Sequence, residues 1–293
     1  MTDTRTFLEE RPRLLAIAYR MLGTRQEAED VVQEAYLKWR QSDVAVIRSA
    51  QAWLVSVTTR LCIDRLRSLK VEREAYVGPW LPEPMVAQAS SPEAELERGQ
   101  HVSMALLLML ERLSVEERAA FLLREVLDLD YDEIAAALVR SEGACRQLVY
   151  RARQRLGERQ GRFRPSPVQH RELLERFAQA TASGDIDGIV ALLSDDAALV
   201  ADGGGVVRTV LKPLHGAHRI ARFFHVIARQ LAAHAVPLEY RPVLVNGEPG
   251  LLRFINGALH SVIAIEAVEG RIASISIVAN PAKLPTAGRA RGA

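Results

Sequence analysis

The spacing of apolar residues changes once along this chain, and that change rules out a single layered core. As far as about residue 159 the apolar positions recur three and four apart, as on helices. Beyond residue 237, "LEYRPVLV", "LLRFI", "HSVIAIEAV" and "RIASISIV" read as strands, separated by the turn signals "NGEPG", "NG" and "EGR". Between these parts, two helices (about 169–183 and 185–193) precede a strand at 197–200, and "HGAHRIARFFHVIARQLAA" is a further helix. The pattern predicts a multidomain chain: two all-α helical domains, then an α+β domain with an antiparallel meander around which helices pack. At 293 residues there is room for two or three such cores.

Within the helical part, Ala28, Val31, Val32, Ala35, Tyr36 and Trp39 form one stripe, opposite Glu27, Asp30, Gln33, Glu34 and Lys38. A second helix, about 49–69, is expected to bury Trp53, Leu54, Val57, Leu61 and Cys62. Residues 76–92 lose this periodicity and carry Pro79, Pro82, Pro84 and Pro92, which reads as a semi-rigid linker. The organisation expected is therefore 1–75 helical, 76–92 linker, 93–164 helical and 165–293 α+β.

The stretch "SEGACRQLVYRARQRL" poses a question of charge. Cys145, Leu148, Val149, Ala152 and Leu156 make its apolar stripe, while Arg146, Gln147, Tyr150, Arg151 and Arg153 face out. Before it, Ser114 with Glu117 and Asp130 with Glu133 are spaced as capping boxes. A short helix, 131–138, is expected to bury Ile134, Ala135 and Leu138, and a break at 140–143 follows, with Ser141 as N-cap of the basic helix. Short helix, turn and longer basic helix is the layout of a helix-turn-helix.

Net charge is only +2, so its distribution matters more than its size. Residues 140–164 hold eight arginines against Glu142 and Glu158, and residues 60–73 hold four arginines and Lys70 against Asp64 and Glu72. Two basic patches of this kind suit a polyanion. The longest apolar run, 104–110, is too short to span a bilayer, and the polar N-terminus is no signal peptide. Cys62 and Cys145 both sit in amphipathic helical patterns, as two buried thiols in a reducing cytoplasm would.

"AYRMLGTRQEAEDVVQEAYLKW", "AWLVSVTTRLCIDRLRS" and "LERLSVEERAAFLLREVLDLDYDEIAAALVRSEGACRQLVYRARQRL" resemble, in this order, regions 2 and 4 of bacterial sigma factors of the extracytoplasmic-function class. "WLPEP", "DGGG", "NGEPG" and "NPAKL" resemble the subgroup with a fused, cone-shaped SnoaL-like C-terminal domain. That subgroup has a basic residue where Val206 stands and an acidic one where Ala282 stands. The resemblance implies core RNA polymerase (its β′ coiled coil and β subunit) and promoter DNA as partners, no membrane partner and no cofactor. Asp30, Gln33, Glu34 and Leu37 are then the polymerase-binding face, carboxylates for a basic surface with Leu37 as an apolar anchor.

Arg60, Asp64, Arg65, Arg67 and Lys70 fall in the segment resembling the −10 reader. Basic groups there track the phosphates of single-stranded DNA; Asp64 either accepts from a base edge or clamps a neighbouring arginine. Arg146, Gln147, Tyr150 and Arg151 stand where family members contact the −35 element, with arginine suited to guanine and Gln147 to adenine. Arg153, Arg155 and Arg159 lie further along, placed to hold phosphates.

In the tail, Asp202, His215, His218 and His260 are the groups that catalysis would use, but the resemblance implies neither catalytic nor metal-binding residues. His215 and His218 are spaced for two metal ligands with no third evident. A fused domain in place of a separate anti-sigma factor implies intramolecular control. The expectation is that the tail docks on region 2 and the linker through Trp80, Leu81 and Pro82, with Asp202, Asn280 and Lys283 on its own surface. Trp80 closing the core of a helical domain is the alternative, and a small ligand in the tail is left open. Rival readings are a one-component DNA-binding regulator with a ligand-sensing tail, and an enzyme with a DNA-binding appendage.

Overall fold

The computed structural model describes residues 4–43, 46–87, 103–157 and 166–285. Pro92, the start of the second helical segment near residue 93, Arg159 and the boundary at 164/165 lie outside the described residues. Two compact units emerge: Met1–Ala75 with Leu106–Gln160, and Tyr76–Ala105 with Gly161–Ala293. Both helical regions therefore share one unit. Residues 76–87, expected as a linker, belong to the unit that holds the sheet.

The helical unit begins with α1 (Thr4–Leu22), α2 (Arg25–Gln41) and α3 (Ala50–Glu74). Leu14, Met21, Leu22, Trp39 and Leu54 are buried among them, and the Trp39 and Trp53 rings lie 5.4 Å apart. Ser49 caps α3 by accepting from the Ala52 N–H at 3.2 Å. The buried face of α3 differs from the expectation. Val55, Thr58, Thr59, Ile63 and Leu66 are buried with Leu54 and Cys62, while Trp53, Val57 and Leu61 are only half-buried. The second half of the unit packs on α3 as well, so its buried arc is wider than one stripe.

That second half comprises α4 (Met104–Leu110), α5 (Val115–Phe121, running into a π turn at Leu122–Val126), α6 (Tyr131–Leu138) and α7 (Glu142–Leu156). Ser114 and Glu117 form the capping box of α5, and Glu133 accepts from the Asp130 N–H at 3.0 Å. On α6, Ile134 and Ala137 are buried, whereas Ala135 and Leu138 are half-buried, because the helix is also covered by α3. Val139 ends α6 in the left-handed region (φ 53°), and Ser141 starts α7 by accepting from Ala144 N–H at 3.2 Å.

Two buried guanidinium groups hold the halves of this unit together. Arg118 donates to the Met21 carbonyl and to Glu111 Oε1, each at 2.7 Å. Arg73 donates to the Leu22 carbonyl at 2.8 Å and to Glu111 Oε2 at 2.7 Å. The carbonyls at the end of α1 have no helical partner of their own, so the two arginines act as its C-cap. Glu111 supplies the counter-charge for both; burial pulls the Arg73 pKa down, and Glu111 offsets part of that.

In the other unit the elements are β1 (Val86–Ala87), α8 (Pro167–Ser183), α9 (Ile186–Leu192), β2 (Leu193–Asp202), β3 (Leu214–His215) and α10 (Ala217–Ala233). Strands β4 (Leu238–Val245), β5 (Glu248–Ile255), β6 (Ala258–Val268) and β7 (Arg271–Val278) follow. The described strands form one sheet in the order β1-β4-β5-β6-β7-β2-β3. β4 to β7 make the expected antiparallel meander, each hairpin closed by two residues of positive φ: Asn246-Gly247, Asn256-Gly257 and Glu269-Gly270. Strand β2 departs from it, pairing parallel with β7 and running longer than the four residues expected. Phe177 of α8 and Phe224 of α10 meet edge to face at 5.3 Å over the buried Leu199, Ile263 and Ile275.

Glu111→Gln removes the charge that both buried guanidiniums share. Breaking a buried pair in this way costs a few kcal/mol, here about 2–4 kcal/mol. Urea unfolding followed by far-ultraviolet circular dichroism should show that loss in the helical unit, and a loss below ~0.5 kcal/mol would contradict it.

Candidate functional site

The exposed face of α7 is the first candidate. Its apolar stripe (Cys145, Leu148, Val149, Ala152, Leu156) is buried, which leaves Arg146, Gln147, Tyr150, Arg151, Arg153 and Arg155 on the surface. Each arginine has an acidic neighbour in its own unit. Arg146 pairs with Glu142 at 2.7 Å and lies 5.0 Å over the Tyr131 ring. Arg153 pairs with Glu125 at 2.6 Å, and Arg155 and Arg151 converge on Glu117 at 2.6 and 4.0 Å. The arginine side chains stay more than half exposed, so each such pair contributes only about 0–1 kcal/mol. A polyphosphate can displace these carboxylates at little cost. Sequence reasoning overlooked Glu117, Glu125 and Tyr131 as partners; the signal that was available is Glu117's second task, since its Oε2 also accepts from Ser114 N–H in the capping box.

On α3 the basic residues are placed otherwise than the sequence suggests. Arg60 donates to the Ala137 and Ala136 carbonyls at 2.9 and 3.1 Å, and so caps the end of α6. Arg67 pairs with Glu116 at 2.7 Å and more loosely with Asp64 at 3.4 Å. Arg65 forms a two-pronged pair with Glu27, one arm at 2.7 Å. This hydrogen bond is the main cause that holds the Glu27 carboxyl below, and the Arg65 guanidinium above, their ordinary pKa values. Lys70 and Asp64 are exposed. Arg60, Asp64 and Arg67 line a cleft of about 180 Å³ with Ile63, Glu116, Leu138, Arg140 and Leu148. Two of the five residues expected to track single-stranded DNA thus face α5 and α6 in this conformation.

Asp30, Gln33, Glu34 and Leu37 all lie on the exposed side of α2, with Leu37 49% exposed. Asp30 accepts from Gln26 at 2.9 Å and Glu34 pairs with Lys38 at 3.4 Å, contacts within the same helix that leave the face open.

The most buried polar cluster lies in the sheet unit, around Asp202 at the end of β2. Its side chain is 0% exposed and accepts four hydrogen bonds: Tyr76 hydroxyl 2.6 Å, Leu81 N–H 2.9 Å, Gly204 N–H 3.0 Å and Lys283 Nζ 2.7 Å. Lys283 also donates to the Leu81 carbonyl at 2.7 Å and lies 4.2 Å over the Trp80 ring. Asn280 donates to the Tyr76 hydroxyl at 2.8 Å. Burial and the adjacent Asp202 push the Tyr76 pKa up, so the phenol stays protonated and donates. Leu81, Pro82 and Pro84 are buried here, while β1 pairs with β4 and Asn246 holds both polar groups of the Met85 backbone. Gly204 (φ +62°) makes the approach possible, because a Cβ there would meet the Asn280 side chain at 2.5 Å. The structure therefore brings together Trp80, Leu81, Pro82, Asp202, Asn280 and Lys283 within one unit. Tyr76 and Asn246 are the members that sequence reasoning missed; Asn246 was visible only as a turn residue.

His215 and His218 are exposed, and among the described residues no three His, Cys, Asp or Glu side chains gather as a metal site would require. Among them, too, no helix is long and apolar enough to cross a membrane.

A basic helix-turn-helix, an acidic-faced bundle before it and an α+β domain behind it define a DNA-binding transcription protein. Residues 6–71 match the Sigma-70 region 2 family and residues 103–156 the Sigma-70, region 4 family. The chain is 34% identical to ECF RNA polymerase sigma factor SigJ of Mycobacterium tuberculosis, over 93% of this chain and 90% of that protein. It belongs to the extracytoplasmic-function (ECF) RNA polymerase sigma factors, with a SnoaL-like C-terminal domain. A further relative is the probable ECF RNA polymerase sigma factor SigI of the same species, 33% identical over 92% of this chain and 91% of the relative. The crystal structure of Mycobacterium tuberculosis SigJ superposes with a TM-score of 0.74 at 32% identity, covering 96% of this chain and 98% of that one.

Asp202→Asn should leave Lys283 buried without a counter-charge and destabilise the sheet unit by about 3–5 kcal/mol. Adding Lys283→Met should recover part of that loss, since two neutral groups replace one stranded cation. Equal stabilities of Asp202→Asn and the parent in urea unfolding would show that the pair is not coupled to the fold.

Proposed function

We propose that this sigma factor binds core RNA polymerase through the exposed face of α2, reads the −35 element with α7 and engages the melted −10 element with α3. The observation that carries the reading is the arginine-rich exposed face of α7, set on a buried apolar stripe as the second helix of a helix-turn-helix. Asp30, Gln33, Glu34 and Leu37 supply carboxylates and one apolar anchor for the β′ coiled coil, while the β subunit is the partner of region 4. Arg146, Gln147, Tyr150 and Arg151 read bases; Arg153 and Arg155 hold phosphates. For Arg60 and Arg67 to reach single-stranded DNA, with Arg65, Asp64 and Lys70 beside them, Arg60 must leave the α6 carbonyls and Arg67 must leave Glu116. Initiation on this reading requires the helical unit to open.

The C-terminal domain is the regulator in this proposal, in place of a separate anti-sigma factor, and it performs no reaction. It holds residues 76–87 by the Asp202–Lys283 cluster, which removes that stretch from the free chain between regions 2 and 4. The setting is the cytoplasm, where core polymerase works, without a membrane partner.

Run-off transcription with purified core polymerase tests the whole reading, and absence of any promoter-dependent transcript would overturn it. Arg146→Ala should cost about 1–3 kcal/mol of discrimination between a cognate −35 duplex and a scrambled one, or roughly ten- to a hundredfold. Arg153→Ala should weaken both duplexes alike and lower the salt dependence of binding. Unchanged discrimination in Arg146→Ala would reassign that residue.

Regulation by the tail has its own test. The double substitution Trp80→Ala, Leu81→Ala should loosen residues 76–87, make the protein more extended in solution scattering and change its transcript yield. If dimensions and yield both match the parent, the clamp has no regulatory role.

A further inference from the structure

One buried cation in the C-terminal domain has no counter-charge. Arg253 of β5 stands opposite Tyr240 of β4 and Ser261 of β6. Two residues along, Leu251 stands opposite Ile263, and both belong to the apolar core beneath the helices. The period of two along a strand turns Arg253 and Ser261 to that same interior, where Tyr240 also packs. Arg253 is only 4% exposed. Its Nη2 donates to His260 Nδ1 at 3.1 Å, but its Nε and Nη1, and the Ser261 hydroxyl, have no hydrogen-bond partner.

The surroundings sharpen the oddity. The pairing of β5 with β6 shifts register between Arg253 and Phe254, which leaves His260 as the extra residue of a bulge and turns its ring toward Arg253. Burial and the neighbouring guanidinium hold the His260 pKa down at about 4, so the ring is neutral and can accept. Among the described residues no carboxylate reaches Arg253. A lone buried guanidinium is costly, and an apolar side chain of similar volume would serve the fold better. Such an arrangement makes physical sense if an anion completes it.

We propose that the interior of the C-terminal domain binds a small apolar carboxylate, its carboxyl group on Arg253 and Ser261 and its body against Leu251, Ile263 and Tyr240. The charge count favours a carboxylate over a phosphate. One guanidinium beside a neutral imidazole balances one negative charge, whereas a phosphate dianion would bury a second charge unpaired. Apolar walls favour an organic body over an inorganic ion. This site lies apart from the Asp202 cluster and uses none of the residues assigned to polymerase or DNA.

The test uses the full-length chain with butyrate, hexanoate and benzoate as probes, and with inorganic phosphate and hexanol as controls. At ten times its dissociation constant a carboxylate should raise the melting temperature by about 3–6 °C. It should also shift the Nε–H resonance of Arg253 in nitrogen-15 spectra. Arg253→Met should bind at least tenfold more weakly while keeping the far-ultraviolet spectrum of the parent, and Ser261→Ala should bind several-fold more weakly. If Arg253→Met does not fold, the Arg253 resonance of the parent decides alone. The proposal is overturned if none of the three carboxylates moves that resonance at tens of millimolar. It is equally overturned if phosphate or hexanol matches them, or if a folded Arg253→Met binds as the parent does.

Discussion

Asp202 is a carboxylate with no exposed surface, so every lone pair it lacks a donor for costs the fold directly. The C-terminal domain meets that demand from three separate stretches of chain: Tyr76 and Leu81, Gly204, and Lys283. Two of these are backbone N–H groups, so the segments carrying them take a fixed path as well as a fixed contact. Lys283 has the converse need, and it is met by Asp202, the Leu81 carbonyl and the Trp80 ring. Neither partner can be released alone without leaving a buried charge. The hold on residues 76–87 is therefore cooperative, and it is lost as a unit or kept as a unit.

In the helical unit the same chemistry appears at two strengths. Arg73 and Arg118 are buried, cap the end of α1 and share Glu111, so their contacts are structural. The α7 arginines are exposed and paired with exposed or edge carboxylates, so their contacts are weak and exchangeable. Burial, rather than residue type, separates the arginines that build the unit from those free to meet a polyanion. Arg60 and Arg67 stand between these cases. Arg67 is half-exposed, yet each of the two bonds to a neighbouring helix. They are the groups whose allegiance can change at moderate cost.

Periodicity made much of this legible. The α7 stripe, the exposed acidic face of α2, the capping box at Ser114 and the hairpins at Asn246, Asn256 and Glu269 are local patterns, each set by residues near one another in sequence. What was not legible came from long-range packing. The wide buried arc of α3 depends on a second layer contributed by residues far along the chain, and a single helical stripe cannot announce two partners. Parallel pairing of β2 with β7 likewise leaves no mark in the alternation of either strand. Proline content made residues 76–92 look like a spacer, but buried Leu81, Pro82 and Pro84 make part of it a packed edge. Arg253 was read simply as part of a strand, since nothing in sequence tells a solvated arginine from a stranded one.

The clamp on residues 76–87 is held by few groups, and tethering explains why few suffice. Because both parties belong to one chain, they meet at an effective concentration on the order of millimolar, and an intrinsic affinity far too weak for separate proteins keeps them together. The same arithmetic makes the clamp easy to shift. A ligand acts on such an equilibrium only by the difference between its affinities for the clamped and released forms, and a tethered contact of a few kcal/mol needs only a difference of that size. Strands β5 and β6 carry the stranded Arg253, Ser261 and His260, and β6 pairs with β7, which leads into Asn280 and Lys283. An anion that ordered the interior at Arg253 would therefore act on strands continuous with the residues that grip Leu81. Whether it tightened or loosened that grip would follow from which form binds it better, and from nothing else.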